Sequence, residues 1–306
     1  MALSLFADCR QYHVRLVECP SFLFLLFGIV TIVVMVLTHL IASRYTSEPE
    51  IAALIVMSVT VLLLVIGHSI VASFRRLAEA SAVKSEFVSI ASHQLRAPLA
   101  SIKWASALME DGGEKNFAMY RDIIRDNVER MILLVNDLLN VNRIESGTLS
   151  INPAAVELEP VVKDALKELT PRAEASNIAL TFTAPQGPLT ALVDRERIKT
   201  VVHHIVDNAI RYTPGKGTVA VTLEKEGARA RLTVKDSGVG IPREDQGRVF
   251  QKFFRATNIL KHQTVGTGLG LFIARSLTEL FGGTMGFSSE EGKGSTFWFS
   301  LPLLDE

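Results

Sequence analysis

The stretch SHQLRAPL, residues 92–99, lies in a run of sequence whose apolar residues recur at alternating spacings of three and four. That spacing predicts a helix packed against partner helices. His93 is off these positions, so at 3.6 residues per turn it lies about 200° from the buried side. We therefore expect a helix that presents an exposed histidine to solvent. The apolar positions are Val88, Ala91, Leu95, Pro98, Ile102, Ala105 and Met109.

Two segments before this helix are long and apolar enough to cross a membrane. Ser21–Ala42 and Ile51–Ser73 contain no acidic residue, lysine or arginine. At 1.5 Å per residue each spans a hydrocarbon core of roughly 30 Å. A signal peptide is the alternative for the first, but its apolar run is too long and a second span follows at once. The sequence therefore predicts a transmembrane hairpin.

The basic residues that flank the two spans predict their orientation. They lie before the first span and after the second, whereas the connecting stretch RYTSEPE, residues 44–50, holds one base and two acids. The positive-inside rule therefore places both termini in the cytoplasm, with the hairpin in the cytoplasmic (inner) membrane. The external loop is too short for a folded sensor domain, so a stimulus must be read in the membrane, by a membrane sensory partner, or through the loop. The flanking bases are Arg10, Arg15, Arg75, Arg76 and Lys84.

Composition narrows the remaining function classes. The chain has 306 residues, which suggests about two domains, and equal numbers of acidic and basic residues, 32 of each. This balance gives no reason to expect a nucleic-acid partner. Cys9 and Cys19 show neither a metal-ligand nor a CxxC spacing, and a cytoplasmic location argues against a disulfide.

A second amphipathic segment follows the break EDGGEKN, residues 110–116. Its apolar residues again step by four and three, so we expect a helical hairpin. One hairpin cannot enclose its own apolar seam, and dimerisation into a four-helix bundle solves this. The seam residues are Ile124, Val128, Met131, Val135 and Leu138.

With these features in place, a resemblance can be named. KSEFVSIASHQLRAPLASI, residues 84–102, resembles the phosphoacceptor box of sensor histidine kinases, and LLVNDLLNVNRIESG, residues 133–147, is similar to the family's return helix. The resemblance implies that His93 accepts phosphate from ATP and passes it to an aspartate of a response regulator. It also makes Gln94 and Arg96 the catalytic neighbours of that histidine.

From about Val156 onward, strands and helices alternate, which predicts an α/β layered domain. We expect strands in IALTFTAP (178–185), TVAVTLE (218–224), ARLTVKD (230–236) and GTMGFSS (283–289). We expect helices over Pro160–Ala175, Arg195–Arg211 and Leu269–Leu280.

Three motifs in this half suit a nucleotide. DSGVG, residues 236–240, ends a strand with a carboxylate that can accept the exocyclic amine of adenine, beside glycines that let a flat ring approach. GTGLGL, residues 266–271, opens a helix whose N–H groups suit phosphates. In HHIVDNAIRYTP, residues 203–214, Asn208 and Arg211 share a helix face that can point at phosphates. An Asn208 carbonyl oxygen suits Mg²⁺. The polar segment FFRATNILKHQT, residues 253–264, is interpreted as an irregular, mobile lid.

In this order, and with FQKFFR (250–255) between them, the motifs resemble the N, G1, F and G2 boxes of the histidine kinase ATP-binding domain, a fold shared with gyrase-type and chaperone ATPases. The resemblance covers roughly residues 80–303 and includes the closing strand GKGSTFWFSLP, residues 292–302. It implies ATP and Mg²⁺ as cofactors. Asp236 would bind adenine with Gly238 and Gly240 beside it, Tyr212 would pack on the base, Asn208 would meet Mg²⁺, and Arg211 would meet phosphate. The other implied ATP-binding residues are Phe253 and Arg255 of the F box and Gly266, Thr267, Gly268, Leu269 and Gly270 at the lid hinge.

Three positions depart from the family pattern. Gln94 replaces the acid after the phosphoacceptor and cannot take a proton near neutral pH, so we expect slow autophosphorylation. Ala97 replaces the Thr or Asn that holds the attacking water in phosphatase-competent members, so we expect poor dephosphorylation of the regulator. His204 replaces the first asparagine of the N box. Imidazole is a poor Mg²⁺ ligand, which predicts either a site that depends on Asn208, water and the phosphates or tolerates Mn²⁺ better, or a histidine that only hydrogen-bonds nearby.

These expectations combine into one architecture, an α+β multidomain chain. It has a cytoplasmic segment over residues 1–20, a transmembrane hairpin over 21–73, a dimerisation and phosphoacceptor domain over 74–150, and a Bergerat-type ATP-binding domain over 151–306. The expected function is a membrane-bound, homodimeric histidine kinase. The alternatives are a catalytically weak membrane scaffold that regulates a partner kinase, favoured by the three departures, and a hydrolytic ATPase of the same fold.

Overall fold

The computed structural model describes residues 20–45, 48–111, 116–260 and 266–304. The basic residues Arg10 and Arg15, both cysteines, most of the break after the first bundle helix, and the end of the predicted lid, residues 261–264, lie outside them. The chain divides into two units, Met1–His93 and Gln94–Glu306. Each unit is described below by itself.

The first unit is built from apolar helices. Helix α1 covers Pro20–Tyr45, and helix α2 covers Pro49–Asp111, of which the part up to His93 belongs to this unit. Phe22–Tyr45 and Pro49–Leu77 have mean hydropathies of 2.7 and 2.5, and nearly all of their side chains point outward. A Cβ at Gly67 would lie 3.2 Å from the Phe27 ring, so this glycine lets the two helices pack closely. The two predicted spans are therefore helical and apolar on their outer surface.

Helix α2 runs without interruption through the SHQLRAPL stretch, as the sequence predicted. Pro98 lies inside the helix and is buried with Ala91 and Ala105, whereas His93 is exposed, as predicted. Val88, which was predicted on the buried side, is 54% exposed. Helix α3 covers Phe117–Glu145. Trp104 of α2 meets Tyr120 of α3 edge to face, with ring centroids 6.1 Å apart, near the closed end of the helical hairpin.

The buried residues of α3 differ from the predicted seam. Leu134 and Val141 are buried, whereas Val128 and Val135 are 41% and 42% exposed in the single chain. The difference has a physical reason, because the face with Leu134 and Val141 meets other parts of the same chain. Of the predicted seam, only Val128 and Val135 are exposed, and the other three residues are half-buried.

The predicted ATP-binding half, residues 151–304, contains a mixed five-stranded sheet in the order β2-β4-β5-β7-β6. Its strands are β2 (Ala179–Thr183), β4 (Thr218–Glu226), β5 (Arg229–Asp236), β6 (Thr284–Glu290) and β7 (Gly294–Pro302). β2 and β4 are parallel and the other pairs are antiparallel. All four predicted strands and the closing strand are present. Two short strands that sequence patterns missed, β1 (Ala154–Glu157) and β3 (Thr190–Val193), form a separate antiparallel pair.

Helices α4 (Leu158–Ala175), α5 (Arg195–Tyr212) and α8 (Gly270–Leu280) match the three predicted helices closely. Each buries one apolar stripe, as with Val201, Val202 and Ile205 in α5, and leaves a polar face. Two single-turn helices, α6 (Arg243–Gln246) and α7 (Thr257–Leu260), lie between β5 and α8. The α7 turn shows that the predicted lid is not wholly irregular, because Asp245 accepts hydrogen bonds from the Thr257 N–H and Oγ1 at 2.7 and 2.9 Å. The fold class is therefore α+β, with a helical hairpin and a layered α/β domain.

Candidate ATP-binding site

One cavity of about 680 Å³ lies in the Gln94–Glu306 unit. Its volume falls in the range typical of small-molecule sites. Residues of α2 and α3, among them Gln94, Ala97 and Asp137, line one side of it, and the ATP-binding half lines the remainder. The cavity therefore brings three sequence motifs together with both helices of the hairpin.

Helix α5 presents the N-box residues to this cavity. Its start is fixed by Asp194, whose Oδ1 accepts the backbone N–H groups of Glu196 and Arg197 at 3.0 and 3.2 Å. His204, Asn208 and Arg211 then follow on the polar side, one turn apart, and all three line the cavity. The predicted shared face of Asn208 and Arg211 is confirmed.

Asp236 lies at the end of β5 on the floor of the cavity. Its Oδ1 accepts hydrogen bonds from the N–H groups of Gly238 (2.8 Å) and Ser295 (3.1 Å), which fix the orientation of the carboxylate. Burial raises the pKa of Asp236, and these two N–H groups partly oppose that rise. A Cβ at Gly238 would lie only 2.4 Å from the Tyr212 carbonyl oxygen, so only glycine fits this turn.

The glycine-rich segment before α8 closes the opposite side. Gly266, Thr267, Gly268 and Gly270 line the cavity. Gly268 has φ +69°, and a Cβ there would lie 2.6 Å from the carbonyl carbon of Phe253. This position therefore requires glycine for both conformation and space. The Thr267 hydroxyl accepts the Leu269 N–H at 3.2 Å and donates to Asp137 Oδ2 at 3.1 Å.

Asp207, which sequence reasoning did not single out, organises the charges beside the N box. Arg211 Nη2 donates to its Oδ2 at 2.8 Å, and Arg172 of α4 pairs with its other oxygen. Burial works to raise the pKa of Asp207, but the two guanidinium groups outweigh it and hold the pKa below its usual value. Arg172 and Arg211 thus bring positive charge to the cavity wall while neutralising one carboxylate.

Asp137 and His204 form a second polar pair in the cavity. His204 Nε2 lies 3.8 Å from Asp137 Oδ1. Burial lowers the pKa of His204 to about 4, so its imidazole is neutral at pH 7. Burial also raises the pKa of Asp137 to about 6, against the opposing hydrogen bond from Thr267. Within the described residues, His204 Nε2 is buried and has no hydrogen-bond partner.

Not every predicted site residue reaches the cavity. Asn208, Arg211, Tyr212, Asp236, Gly240, Arg255 and the four cavity-lining residues of the glycine-rich segment do, as does Gln94. Arg96 is exposed on α2, Leu269 is fully buried beneath the segment, and Gly238 and Phe253 shape the cavity through their backbones. The wall residues missed from sequence include Arg172, Asp207 and Asp137, and also the charged residues Asp126, Glu129 and Arg130 of α3. Asp207 was within reach of sequence reasoning, because it precedes Asn208 in the N box.

The cavity offers both suitable and unsuitable ligands for a divalent cation bound with a nucleotide. Asn208 and Asp137 offer oxygen ligands, which Mg²⁺ prefers, and the orphaned His204 Nε2 offers a nitrogen, which Mg²⁺ does not. Among the described residues, no group of three His, Cys, Asp or Glu side chains could hold a metal ion. A cation here would therefore take many of its ligands from the nucleotide phosphates and water.

Comparison with known proteins agrees with this geometry. Residues 83–147 match the His Kinase A (phospho-acceptor) domain model, and residues 193–305 match the model for histidine kinase-, DNA gyrase B- and HSP90-like ATPases. The sensor histidine kinase GacS of Pseudomonas protegens is 34% identical over 232 residues, covering 74% of this chain. The match spans only 25% of the length of GacS.

Solved structures show the same architecture. Histidine kinase AdeS of Acinetobacter baumannii aligns with a TM-score of 0.57 at 25% identity, over 70% of this chain and 98% of AdeS. Histidine kinase ThkA, solved in complex with the response regulator TrrA, shares the fold at a TM-score of 0.57 and 23% identity, over 75% of this chain and 65% of that one. The chain belongs to the sensor histidine kinases of two-component systems. With α1 and the start of α2, it is a membrane member of that family with two transmembrane helices.

Proposed function

We propose that this chain transfers the γ-phosphoryl group of ATP to His93 and then to an aspartate of a response regulator. The observation that supports the proposal is a single cavity lined by both the nucleotide-binding motifs and the phosphoacceptor helix. Asp236, Asn208, Arg211 and the Gly266–Gly270 segment converge on it, and the phosphoacceptor helix borders it at Gln94 and Ala97. A nucleotide held there is close to the helix that carries the acceptor box.

In this proposal each wall of the cavity has one role. Asp236 accepts the adenine amine, Tyr212 packs on the base, and the backbone N–H groups at the start of α8 face the phosphates. Arg211 adds positive charge to the phosphates. Mg²⁺, when bound with ATP, neutralises phosphate charge, and Asn208 would be one of its ligands.

The chemical step needs little covalent work from the protein. A lone pair on a neutral imidazole nitrogen of His93 attacks the γ-phosphorus, the bond to the β–γ bridging oxygen breaks, and ADP leaves with that oxygen. The proton on the attacked imidazole ring passes to solvent. Gln94 can orient the imidazole but cannot accept this proton, so the step proceeds without general-base help and is slow.

Exposed apolar residues of α3 support a homodimer. Val128 and Val135 of the seam, and Ile132 beside them, are 41–55% exposed in the single chain, which is unusual for a helix in a folded domain. A second copy placed against this seam would complete a four-helix bundle. We further propose the domain boundaries 1–20, 21–73, 74–150 and 151–306 on the order of apolar spans and motifs, and cytoplasmic termini on the charge pattern of the sequence.

A response regulator is proposed as the partner by analogy with ThkA, whose structure was solved in complex with one. A second candidate function, a membrane scaffold that regulates a partner kinase, is favoured by Gln94, Ala97 and His204. This alternative needs ATP binding at most, and no label on His93. A membrane sensory partner is compatible with either function, because the loop between α1 and α2 is short.

The test uses the full chain in lipid nanodiscs with γ-³²P-ATP and Mg²⁺. We expect label that is lost in acid and retained in alkali, as for a phosphohistidine. His93→Gln and Asn208→Ala should each abolish it. Ser92→Ala removes the exposed hydroxyl next to His93 and serves as the matched control that keeps the label.

Transfer is tested by adding a purified response regulator to the labelled protein, and label should then appear on an aspartate. Label that survives His93→Gln would refute His93 as the acceptor. ATP binding without label in the wild-type chain would favour the scaffold.

A further inference from the structure

Asp137 of α3 lies in the nucleotide cavity although it belongs to no nucleotide-binding motif. Its side chain is 14% exposed, with Oδ2 3.1 Å from the Thr267 hydroxyl and Oδ1 3.8 Å from His204 Nε2. It therefore faces both the glycine-rich segment and the first position of the N box. Asn208 lines the same cavity one helical turn from His204.

The chemistry at position 204 leaves a ligand missing. By resemblance, the family has an asparagine there, whose carbonyl oxygen suits Mg²⁺. The imidazole of His204 offers only nitrogen, which Mg²⁺ binds poorly. The carboxylate of Asp137 ends within 4 Å of the tip of that imidazole, so an oxygen ligand is available where the histidine cannot supply one.

The charges of the cavity agree with a cation beside Asp137. Asp207, the neighbouring carboxylate, is neutralised by Arg172 and Arg211. Burying a carboxylate is costly unless it is paired or binds a metal. The Thr267 hydroxyl offsets only part of this cost, whereas a divalent cation between the phosphates and Asp137 would offset much more.

We infer that Asp137 supplies an oxygen ligand, directly or through a bound water, to the Mg²⁺ of bound ATP in place of the residue at 204. The inference rests on the proposed ATP binding. It makes the metal site a joint product of the second bundle helix and the ATP-binding half. Without the metal, the same carboxylate repels the triphosphate.

Because Asp137 is expected to favour ATP binding with Mg²⁺ and to oppose it without, the direction of the change in ATP affinity in each condition tests the inference. Asp137→Asn removes the negative charge and keeps the shape of the side chain. It should weaken ATP binding in Mg²⁺ but leave it unchanged or tighter in EDTA. The ratio of the Kd in EDTA to the Kd in Mg²⁺ should therefore fall about 10-fold. Binding is measured with a fluorescent ATP analogue on the full chain in nanodiscs, and Mn²⁺ bound in the presence of ADP is counted by electron paramagnetic resonance.

Glu145→Gln is the matched control. Glu145 lies on the same helix two turns further on and pairs with Lys252 of the ATP-binding half, outside the cavity. The Glu145→Gln variant loses the ion pair with Lys252, yet its Kd ratio should equal that of the wild type. His204→Asn in the Asp137→Asn background restores an oxygen ligand and should restore most of the ratio.

The outcomes separate the explanations. Tighter binding in both EDTA and Mg²⁺ would mean that Asp137 only competes with the phosphates, and weaker binding in both would mean that it only supports the fold. If Glu145→Gln lowered the Kd ratio as much as Asp137→Asn, the change would come from lost contact between α3 and the ATP-binding half. Each of these results overturns the inference, as does a wild-type chain that binds no ATP. A chain that shows the expected ratios but no label on His93 would refute the proposed phosphotransfer and leave the metal ligand standing.

Discussion

The carboxylate of Asp236 accepts a 3.1 Å hydrogen bond from the backbone N–H of Ser295 on the adjacent strand β7. The same oxygen accepts the Gly238 N–H at 2.8 Å. The residue proposed to recognise adenine is therefore held by two strands of the sheet, not by its own turn alone. Its orientation is fixed before a nucleotide arrives, which limits the ordering cost of binding.

Asp236→Asn should separate recognition from stability. The asparagine Oδ1 can keep both N–H bonds, but its NH₂ group would face the adenine amine with a donor in place of an acceptor. We expect ATP binding to weaken about 10- to 100-fold, with little change in the thermal midpoint. Asp236→Ala strips two buried N–H groups of their acceptor and should also lower stability, by about 1–3 kcal/mol for each group. Equal ATP affinity for Asp236→Asn and wild type would contradict the assigned role.

Gly268→Ala should disrupt the glycine-rich segment. The backbone at this position has φ +69°, and the added methyl would lie 2.6 Å from the Phe253 backbone. The strain should cost about 2 kcal/mol or more and displace the phosphate-facing N–H groups, so ATP binding should be lost. Gly247→Ala is the matched control, since that glycine has φ −65° and open space around it. The comparison is made by melting curves and nucleotide titration of both variants.

Asp137→Asn should change how stability depends on pH in metal-free protein. The folded pKa is raised to about 6 from the usual 3.8, so the folded state holds this proton more tightly than the unfolded state does. Stability contributed by the proton is full below about pH 4 and is lost as the pH rises through 6. The variant escapes that loss and should be about 2–3 kcal/mol more stable than wild type at pH 7.5. Melting in EDTA, followed by tryptophan fluorescence, should show this gap narrowing toward pH 4.5. A gap that is constant with pH would refute the raised pKa.

Gln94→Glu should speed autophosphorylation. A carboxylate next to His93 can take the imidazole proton that glutamine cannot, and general-base help is typically worth about 10²- to 10⁴-fold. We expect the initial rate of labelling to rise at least 10-fold, with the Kd for ATP unchanged. Gln94→Leu, which has similar size but no hydrogen-bonding group, should not raise the rate. If Gln94→Glu labels at the wild-type rate, proton removal does not limit the reaction.

Ala97→Thr should add phosphatase activity. Ala97 lines the cavity with a side chain that cannot hold an attacking water, and a threonine hydroxyl at this position can. In the presence of ADP, the variant should accelerate loss of phosphate from the regulator, whereas wild type should not. Ala97→Val adds similar bulk without the hydroxyl and should behave like wild type. Fast dephosphorylation by the wild-type chain would contradict the prediction.

The motifs that the sequence revealed share one property, which is that their residues are close along the chain. Asn208 and Arg211 are neighbours on one helix, and Gly266–Gly270 is one continuous segment, so periodicity and turn chemistry suffice to group them. Asp137 could not be grouped in this way. Asp137 contacts Thr267, which is 130 residues away in sequence. The apolar pattern of its helix predicts only packing in a helical bundle. Arg172 was missed for the same reason, because α4 has an ordinary amphipathic pattern.

The outline of the fold was predictable where hydrophobic patterns were long. The three main helices and all four expected strands are present, but β1 and β3 were missed because each has only four residues. The seam of α3 was assigned to a partner copy, and sequence alone could not show that Leu134 and Val141 on another face meet this chain's own residues. A periodic pattern locates an apolar face but does not identify what covers it.

Two contacts between α3 and the ATP-binding half limit how the domains of this kinase can be exchanged with those of other kinases. Asp137 contacts Thr267, and Glu145 contacts Lys252, so one helix carries the counterparts of two separate loops. A hybrid enzyme that joined residues 151–306 to another kinase's bundle would keep every nucleotide-binding motif and still lose both counterparts. Engineered sensors built from this chain should therefore place the junction upstream of α3, within the helix that follows the membrane.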